Sequence, residues 1–541
     1  MTPMPEAADT TRPFSLSHRS RLLHLSHLAR LARHPRLPRR TESSTGLVVA
    51  LACAGQFLVV LDVSVVNVAL PSMRADLGLS SSGLQWVVNA YAIAFAGFML
   101  LGGRAGDLYG RKRMFLTGLA LFTLASLGGG LAQDDWQLLL ARAVQGLGAA
   151  VLAPSTLTIL TAAVPEGAAR ARAIATWTAV GAGGGAAGGL VGGVLVDVLS
   201  WRWVLLINVP VGALVLLGAL RWLTESRAGD GRRLDLPGAL LVTAGLATLA
   251  YGISQTEAEG WTAAATLVPL AVGLALIGLF LAVEARTAAP LMPLGLLRLR
   301  SVASANAGMF ISGSGMFCMW FFMTLYAQNV LRYTPLEAGL ALVPSSLAVV
   351  LGSKLAPRLM RTAGPRTVAV LGTLVAASGF GWQSTMTADG GYLTTIMLPG
   401  ILMMLGAGLA ATPLAALATS GAAPGEAGLV SGLVNTSRTM GGSLGLAIMS
   451  TLAAARTGGS ATPQALTEGY ALVFRTSTAV LLAGAALMLL WLPRRPAAAL
   501  ATAVPSENGV GPGVTGGSGV SEASGSAKGS GGARSSGKSA E

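Results

Sequence analysis

Long apolar segments recur along most of the chain and are separated by short polar stretches. We count fourteen such segments, and each has about the twenty residues that an α-helix needs to cross a bilayer. The pattern therefore predicts an all-α integral membrane protein with fourteen transmembrane helices. The predicted spans are 46 to 70, 83 to 103, 113 to 132, 137 to 162, 172 to 196, 203 to 223, 236 to 255, 263 to 284, 302 to 329, 336 to 357, 366 to 386, 393 to 417, 428 to 454 and 470 to 492.

The positive charges lie mainly in every second loop between these spans. The loops of the opposite side offer only Arg74, Arg202, Arg332 and Arg456. Cytoplasmic loops carry an excess of Lys and Arg, so the basic loops are predicted to be cytoplasmic. An even number of spans then places both termini on the cytoplasmic side of the cell membrane. The basic loop residues are Arg104, Arg111, Lys112, Arg113, Arg170, Arg172, Arg227, Arg232, Arg233, Arg286, Arg298, Arg300, Lys354, Arg358, Arg361 and Arg366.

Composition supports the same class of protein. Hydrophobic residues make up 52% of the chain, charged residues only 11%, and the mean hydropathy is +0.64. These values exclude an ordinary soluble domain. The net charge of +14 arises in the loops and the N-terminal segment, so it reports topology, and we expect no nucleic-acid partner.

The residues needed for common enzyme mechanisms are not placed together in this sequence. All four histidines lie before the first span, so no metal-ligand cluster and no serine, histidine and acid set can assemble among the spans. A phosphate-binding glycine loop with its lysine is also missing, which excludes an ATP-driven pump. We therefore expect no enzymatic activity, no cofactor and no metal site.

The chain divides into five predicted regions. Residues 1–45 carry eight arginines and form a basic arm that is either disordered or lies on the membrane surface. Residues 496–541 are rich in Gly and Ser and are expected to be disordered. Between them we place a six-helix bundle at 46–223, a two-helix insert with its flanking loops at 224–300, and a second six-helix bundle at 301–495. The similarity of GRAGDLYGRKR after the second span to GSKLAPRLMRTAGPR after the tenth supports a repeat of two halves.

One acidic residue, Asp62, lies deep within the first span, in the stretch LDVSVVNVALP. A carboxylate at this depth costs about 2.5–3.5 kcal/mol on insertion scales and usually serves a function such as carrying a proton. We expect it to face a wet cavity and to act as a protonation switch. The alternative is a structural carboxylate whose hydrogen bonds are satisfied by a neighbouring helix.

The loop GRAGDLYGRKR resembles the signature cytoplasmic loop of the major facilitator superfamily. The resemblance implies a conformational latch formed by Gly103, Asp107, Gly110 and Arg111, with Gly103 allowing close helix contact. A loop that only sets the topology is the alternative.

Arg142 in the fourth span belongs to LARAVQG, which resembles the motif that carries an intramembrane arginine in this superfamily. At 1.5 Å per residue, Asp62 lies roughly 12 Å and Arg142 roughly 8 Å below the same surface, so the two can be neighbours. Their proximity predicts a proton-coupling pair, and a static ion pair that braces two helices is the alternative.

The fifth span contains GAGGGAAGGLVGG, in which Gly184, Gly188, Gly192 and Gly193 fit the spacing of the superfamily's antiport motif. The sequence departs from that motif at Gly189, where the family usually has proline. Because glycine permits close packing without a fixed kink, this departure weakens the prediction of antiport.

The segments SWRWVLLINVPVG and GLVSGLVNTSRTMGGSLGLAI, with the fourteen spans, resemble the drug:proton antiporters of the fourteen-helix branch. This implies a major facilitator fold of two six-helix bundles and two extra helices. The implied function is proton-coupled export of small amphipathic compounds by a monomer. A proton-coupled importer of the same fold is the alternative.

The ninth span supplies aromatic and polar candidates for the wall of a substrate cavity, namely Asn306, Trp320, Phe321 and Tyr326. Such a stripe also fits ordinary packing. Arg438 in the thirteenth span is a further candidate, for which we expect a structural or gating role over direct substrate contact.

Overall fold

A computed structural model of the protein describes residues 42–165, 168–226, 234–287, 290, 294–419 and 427–493. Helices are the regular structure throughout these ranges. The C-terminal tail at 496–541 and residues 1–41 of the basic arm lie outside the described residues. We label the long helices in chain order as α1 Glu42–Leu77, α2 Ser81–Tyr109, α3 Arg111–Gly130, α4 Asp135–Ala163, α5 Ala168–Val198, α6 Asn208–Trp222, α7 Leu236–Glu259, α8 Ala264–Glu284, α9 Arg300–Leu325, α10 Val343–Ala363, α11 Pro365–Gln383, α12 Leu398–Thr419, α13 Ala427–Thr457 and α14 Pro463–Trp491.

Twelve helices of the described chain are long and apolar enough to cross a membrane. Helices α11 and α13 lie at predicted span positions but are not among these twelve, and α13 carries the polar run Asn435 to Arg438. The all-helical membrane architecture is confirmed. The count of fourteen crossings stays a prediction, as do the limits of the two bundles and the insert.

The loops that follow α2 and α10 share one helix-ending geometry. Gly110 has a φ of 110° and Gly364 a φ of 79°. Their backbone N–H groups donate to the carbonyls of Gly106 at 3.2 Å and Met360 at 3.1 Å. Glycine adopts such a left-handed conformation without the steric cost that a Cβ imposes. The sequence similarity between the two halves thus corresponds to a common local structure.

Close helix contacts also repeat in the two halves. A Cβ added at Gly118 of α3 would lie 2.7 Å from the Leu152 nitrogen of α4. One added at Gly372 of α11 would lie 2.6 Å from the Ala410 nitrogen of α12. Small residues let helix backbones approach each other in lipid, where burial of apolar surface gives no driving force between helices. Glycine therefore sets the helix spacing in both halves.

Helices α7 and α8 pack against each other, and α7 lies beside the contact between α2 and α13. Thr243 of α7 packs against Gly97 of α2. On the other side of α7, the hydroxyl of Thr451 in α13 donates to the Ile253 carbonyl at 3.2 Å. The helix pair therefore sits at the edge of the interface between the halves.

The two halves meet on the side that the loop charges predict to be extracellular, which we call the outer side. Here α5 contacts the short helix Pro335–Ala341, which leads into α10. A Cβ added at Gly189 would lie 3.0 Å from the Gly339 carbonyl oxygen. The Leu336 N–H also donates to the Asp197 carboxylate at 3.2 Å. Backbone thus touches backbone across the halves, and the outer side is closed.

We predict that Gly339→Val prevents this closure, because its side chain would collide with the Gly189 backbone. A cysteine at Leu195, near the outer end of α5, reports the opening in a background where Cys53 and Cys318 are replaced by serine. Labelling by a membrane-impermeant maleimide should rise at least about threefold as the population shifts. The control is Gly278→Val, since nothing lies within 4 Å of a Cβ there. Equal labelling of the two variants would contradict the closure.

Candidate functional site

The structure brings Asp62 of α1 and Arg142 of α4 into direct contact. The Arg142 Nη1 atom lies 2.6 Å from the Asp62 Oδ2 atom. The side chain of Asp62 is 0% exposed and that of Arg142 is 2% exposed. A buried charge pair of this kind needs further hydrogen bonds to offset the loss of hydration.

Neighbouring amides and a hydroxyl supply these hydrogen bonds. The Asp62 Oδ1 atom accepts from Gln145 Nε2 at 2.6 Å and from Asn208 Nδ2 at 3.0 Å. Ser126 Oγ accepts from Gln145 Nε2 at 2.8 Å and donates to the Phe122 carbonyl at 2.8 Å. In each hydrogen bond of Asp62 among the described residues, the carboxylate is the acceptor.

Arg142 is held on three further sides. Its Nε atom donates to the Val87 carbonyl of α2 at 3.1 Å, and its Nη1 atom donates to Gln145 Oε1 at 2.6 Å. The ring of Tyr91 lies against the guanidinium, 4.5 Å from centroid to carbon, in a cation–π arrangement. Helices α1, α2, α3, α4 and α6 thus all contribute to one polar cluster inside the first half.

This cluster differs from the sequence expectation in one respect. We expected Asp62 to face a wet cavity, but in this conformation protein encloses it on all sides. The amides and the hydroxyl around it were not predicted as functional. Gln145 lies three residues after Arg142 and so shares its helix face, which was an available signal. Asn208 stands alone in an apolar run, and an intramembrane polar residue of that kind is also informative.

The signature loop is tied to the end of the first half by an acid that the sequence analysis missed. The carboxylate of Glu225 accepts from the backbone N–H of Lys112 at 3.1 Å and of Arg113 at 3.2 Å. It thereby caps the N-terminus of α3, where a negative charge is favoured by the helix dipole. The Arg111 N–H donates to the Ser226 carbonyl at 3.0 Å.

Among the predicted latch residues, Gly110 has the left-handed backbone described above, and the side chain of Asp107 lies outside the described residues. The close helix contact expected at Gly103 is made instead by Gly102, which packs against the Ala150 backbone of α4. A Cβ at Gly103 would find only ordinary contact, 3.6 Å from Pro154. Adjacent residues of a helix point about 100° apart, so Gly102 faces the backbone of α4 and Gly103 points to one side of it.

The glycine run of α5 packs against two partners at once. Gly184, Gly188 and Gly192 lie against Phe57, Ser64 and Val65 of α1, and this stretch of α1 includes Asp62. Ser64 Oγ strengthens the contact by donating to the Gly185 carbonyl at 2.8 Å.

The remaining glycines of the run face the second half. Gly193 lies against Leu336, and Gly189 lies against Gly339. The departure from the family's proline at Gly189 therefore falls where α5 approaches the second half most closely. Helix α5 joins the surroundings of Asp62 to the closed outer side.

The cavity candidates on α9 and in the turn that follows it are largely packed inside the protein in this conformation, and their role as a cavity wall stays a prediction. Phe321 is 3% exposed and Tyr326 is 0% exposed. The Tyr326 hydroxyl donates to the Thr387 carbonyl at 2.6 Å, which fixes an outer loop. Asn306 is 6% exposed and accepts from the Ser437 hydroxyl of α13 at 3.0 Å. Trp320 is half-buried against the core of the second half.

Arg438 remains partly exposed. Its Nη2 atom donates to Asn435 Oδ1 at 3.3 Å, one turn earlier on α13. A Cβ added at Gly313 of α9 would collide with the Arg438 carbonyl, so the Arg438 backbone packs closely on α9 while its side chain extends past it.

The chain is similar to antibiotic export and resistance proteins. It is 48% identical over 435 residues to a cephamycin export protein of Amycolatopsis lactamdurans, covering 80% of this chain and 89% of that protein. It is 38% identical over 466 residues to a puromycin resistance protein of Streptomyces alboniger, covering 84% and 92%. A lincomycin resistance protein of Streptomyces lincolnensis is 32% identical over 398 residues, covering 73% and 81%.

Solved transporters share the fold at low sequence identity. A bacterial homologue of the human lysosomal transporter Spinster, in an inward-facing and unoccupied conformation, superposes with a TM-score of 0.60 at 17% identity, covering 83% of this chain and 97% of that one. The sequence profile of the Major Facilitator Superfamily matches residues 52–446. The protein therefore belongs to the major facilitator superfamily.

Proposed function

We propose that the protein is a proton-coupled antiporter that exports small amphipathic compounds, such as antibiotics or toxic natural products. The observation that carries the export function is the similarity over most of the chain to proteins named for cephamycin export and for puromycin resistance. The cell membrane is the proposed location, with both termini cytoplasmic and the protein working as a monomer.

The buried cluster around Asp62 supports proton coupling. In the outer-closed conformation three side chains, Arg142, Gln145 and Asn208, surround the carboxylate and donate hydrogen bonds to it. A proton bound to Asp62 would displace at least one of these donors, since a carboxylic acid must itself donate. Protonation of Asp62 and the full set of hydrogen bonds to its carboxylate therefore exclude each other. A switch requires two such mutually exclusive states.

Water has a defined place to enter this cluster. The Tyr91 hydroxyl and the Asn208 Oδ1 atom are buried, and neither has a hydrogen-bond partner among the described residues. A water molecule that enters a buried site is stabilised most where it can form hydrogen bonds with polar atoms that have no other partner. Since Tyr91 lies against Arg142 and Asn208 against Asp62, a small separation of the helices would hydrate both charges.

Helix α5 links a change at Asp62 to movement at the contact between the two halves. In the proposed cycle, Asp62 is protonated from the outside when the outer side is open, and the half-bundles then rock until α5 again contacts the segment before α10. Release of the proton to the cytoplasm restores the Asp62–Arg142 pair. Each inward charge contributes about 2.3 kcal/mol per 100 mV of membrane potential, before any pH gradient is added.

A proton-coupled importer of the same fold is the second candidate. The observation that keeps it open is Gly189, which replaces the proline of the antiport motif. Transport by everted vesicles with the pH gradient imposed in either direction separates the two. An antiporter accumulates the drug when the vesicle interior is acidic, whereas a symporter loses it.

We predict that Asp62→Asn lowers drug accumulation in acid-interior everted vesicles at least about tenfold, because the amide cannot exchange a proton. Ethidium, puromycin and lincomycin serve as test compounds. Asp76→Asn is the matched control, since Asp76 also pairs with an arginine, Arg202, at 2.6 Å but lies exposed at the outer end of α1. Full pH-driven accumulation by Asp62→Asn would rule out the coupling role.

A second prediction separates the switch from a static brace. Arg142→Met leaves the Asp62 carboxylate buried without its counter-charge, which should destabilise the protein by about 3–5 kcal/mol. The double substitution Asp62→Leu with Arg142→Met removes both charges, and its thermal unfolding temperature in detergent should return close to that of the wild type. Transport should stay lost in the double variant. Recovery of pH-driven transport together with stability would show that the pair only braces the helices.

A further inference from the structure

Arg438 lies on α13, a helix that contacts both halves of the molecule. Thr436 of α13 contacts α2 through the Ala96 carbonyl, and Thr451 contacts α7. Gly441 and Gly445 lie against Phe310 and Ser314 of α9.

At about 100° per residue, Asn435 falls on the arc between the α9 contacts and the α2 contacts, opposite α7, and Arg438 lies at the α9 side of this arc, next to Gly442. Because α2 and α9 belong to different halves, this arc faces the interface between the halves. In transporters with repeated halves, that interface holds the substrate site.

The charge of Arg438 is not balanced in the described structure. Its guanidinium has five N–H donors, and among the described residues its side chain donates one hydrogen bond, to the Asn435 amide oxygen. The described residues supply no carboxylate in ion-pair contact with it, whereas Arg142 is paired with Asp62. A partly buried guanidinium without a counter-ion is unfavourable and attracts an anion.

The surroundings of Arg438 combine this charge with apolar surface. The Phe317 ring of α9 lies against Gly442, one turn further along α13. Phe310 of α9, whose backbone lies against Gly441, is 37% exposed. A positive charge beside aromatic rings suits a compound that carries one anionic group on an apolar body.

We propose that Arg438 is the specificity-determining residue for an anionic group, of the carboxylate class, on the exported compound. This inference rests on the proposed export function. The planar guanidinium binds a carboxylate through two parallel hydrogen bonds, which fixes the orientation of the compound as well as its charge. Asn435 holds one edge of the guanidinium and leaves the other edge for the ligand.

Rhodamine 110 and its methyl ester rhodamine 123 test the proposal, because they differ only in whether the carboxylate is free. We expect Arg438→Gln to lower export of rhodamine 110 from cells at least about tenfold and to change export of rhodamine 123 less than about twofold. Arg438→Lys keeps the charge without the two-point geometry, so it should retain intermediate export of rhodamine 110. Arg456→Gln on the same helix is the control, since Arg456 pairs with Glu468 at 2.8 Å near the surface.

The outcomes separate this inference from the proposed function. Equal effects of Arg438→Gln on both dyes would assign Arg438 to gating or folding and contradict the inference. Export of rhodamine 123 without rhodamine 110 by the wild type would also contradict it and leave the export function intact. Export of neither dye by the wild type, with no resistance to puromycin or lincomycin, would overturn both. Membrane abundance and thermal unfolding of each variant show whether a loss is due to misfolding.

Discussion

The contact between Asp62 and Arg142 constrains the whole first half of the molecule. Separating two buried charges without water would leave each uncompensated, so the helices that carry and surround them must move together. Gln145, Asn208 and Ser126 extend this constraint to α3 and α6 through hydrogen bonds. The pair and its hydrogen-bond partners therefore connect five helices of the first half. Hydration of the pair is the event that would release these helices.

Helix α5 carries that constraint to the second half. Its glycines leave no side-chain volume between α5 and α1, or between α5 and the segment before α10. A contact made of backbone can slide or tilt with little change in packing, whereas interlocked side chains would resist. The same helix thus lies against both the segment of α1 that carries Asp62 and the outer side of the second half, with Gly189 and Gly339 in contact there.

The apolar periodicity and the basic loops were enough to predict an all-helical membrane fold, because a bilayer allows few alternatives. The pairing of Asp62 with Arg142 was also predictable, since charges at matching depth are scarce. The sequence could not show which way α9 faces, because its polar, small and apolar residues do not separate onto distinct faces of the helix. Phe321 and Tyr326, which were predicted to line a cavity, are buried in this conformation. The close contact of Gly102 was missed for the same rotational reason.

The two halves are alike in backbone but unlike in charge. Within the described spans, Asp62 of the first half is the one carboxylate at mid-depth, and the second half presents Arg438 instead. With a single exchangeable site, one proton would enter per turnover, and a potential of 100 mV could hold a neutral compound at about a fiftyfold gradient. When a monoanion leaves the cell in exchange for the proton, its outward movement is electrically equivalent to a second positive charge that enters. The same voltage would then sustain a concentration gradient of roughly the square of the value for a neutral compound. Arg438 would therefore favour anionic substrates, whose export is driven by the membrane potential as well as by the proton.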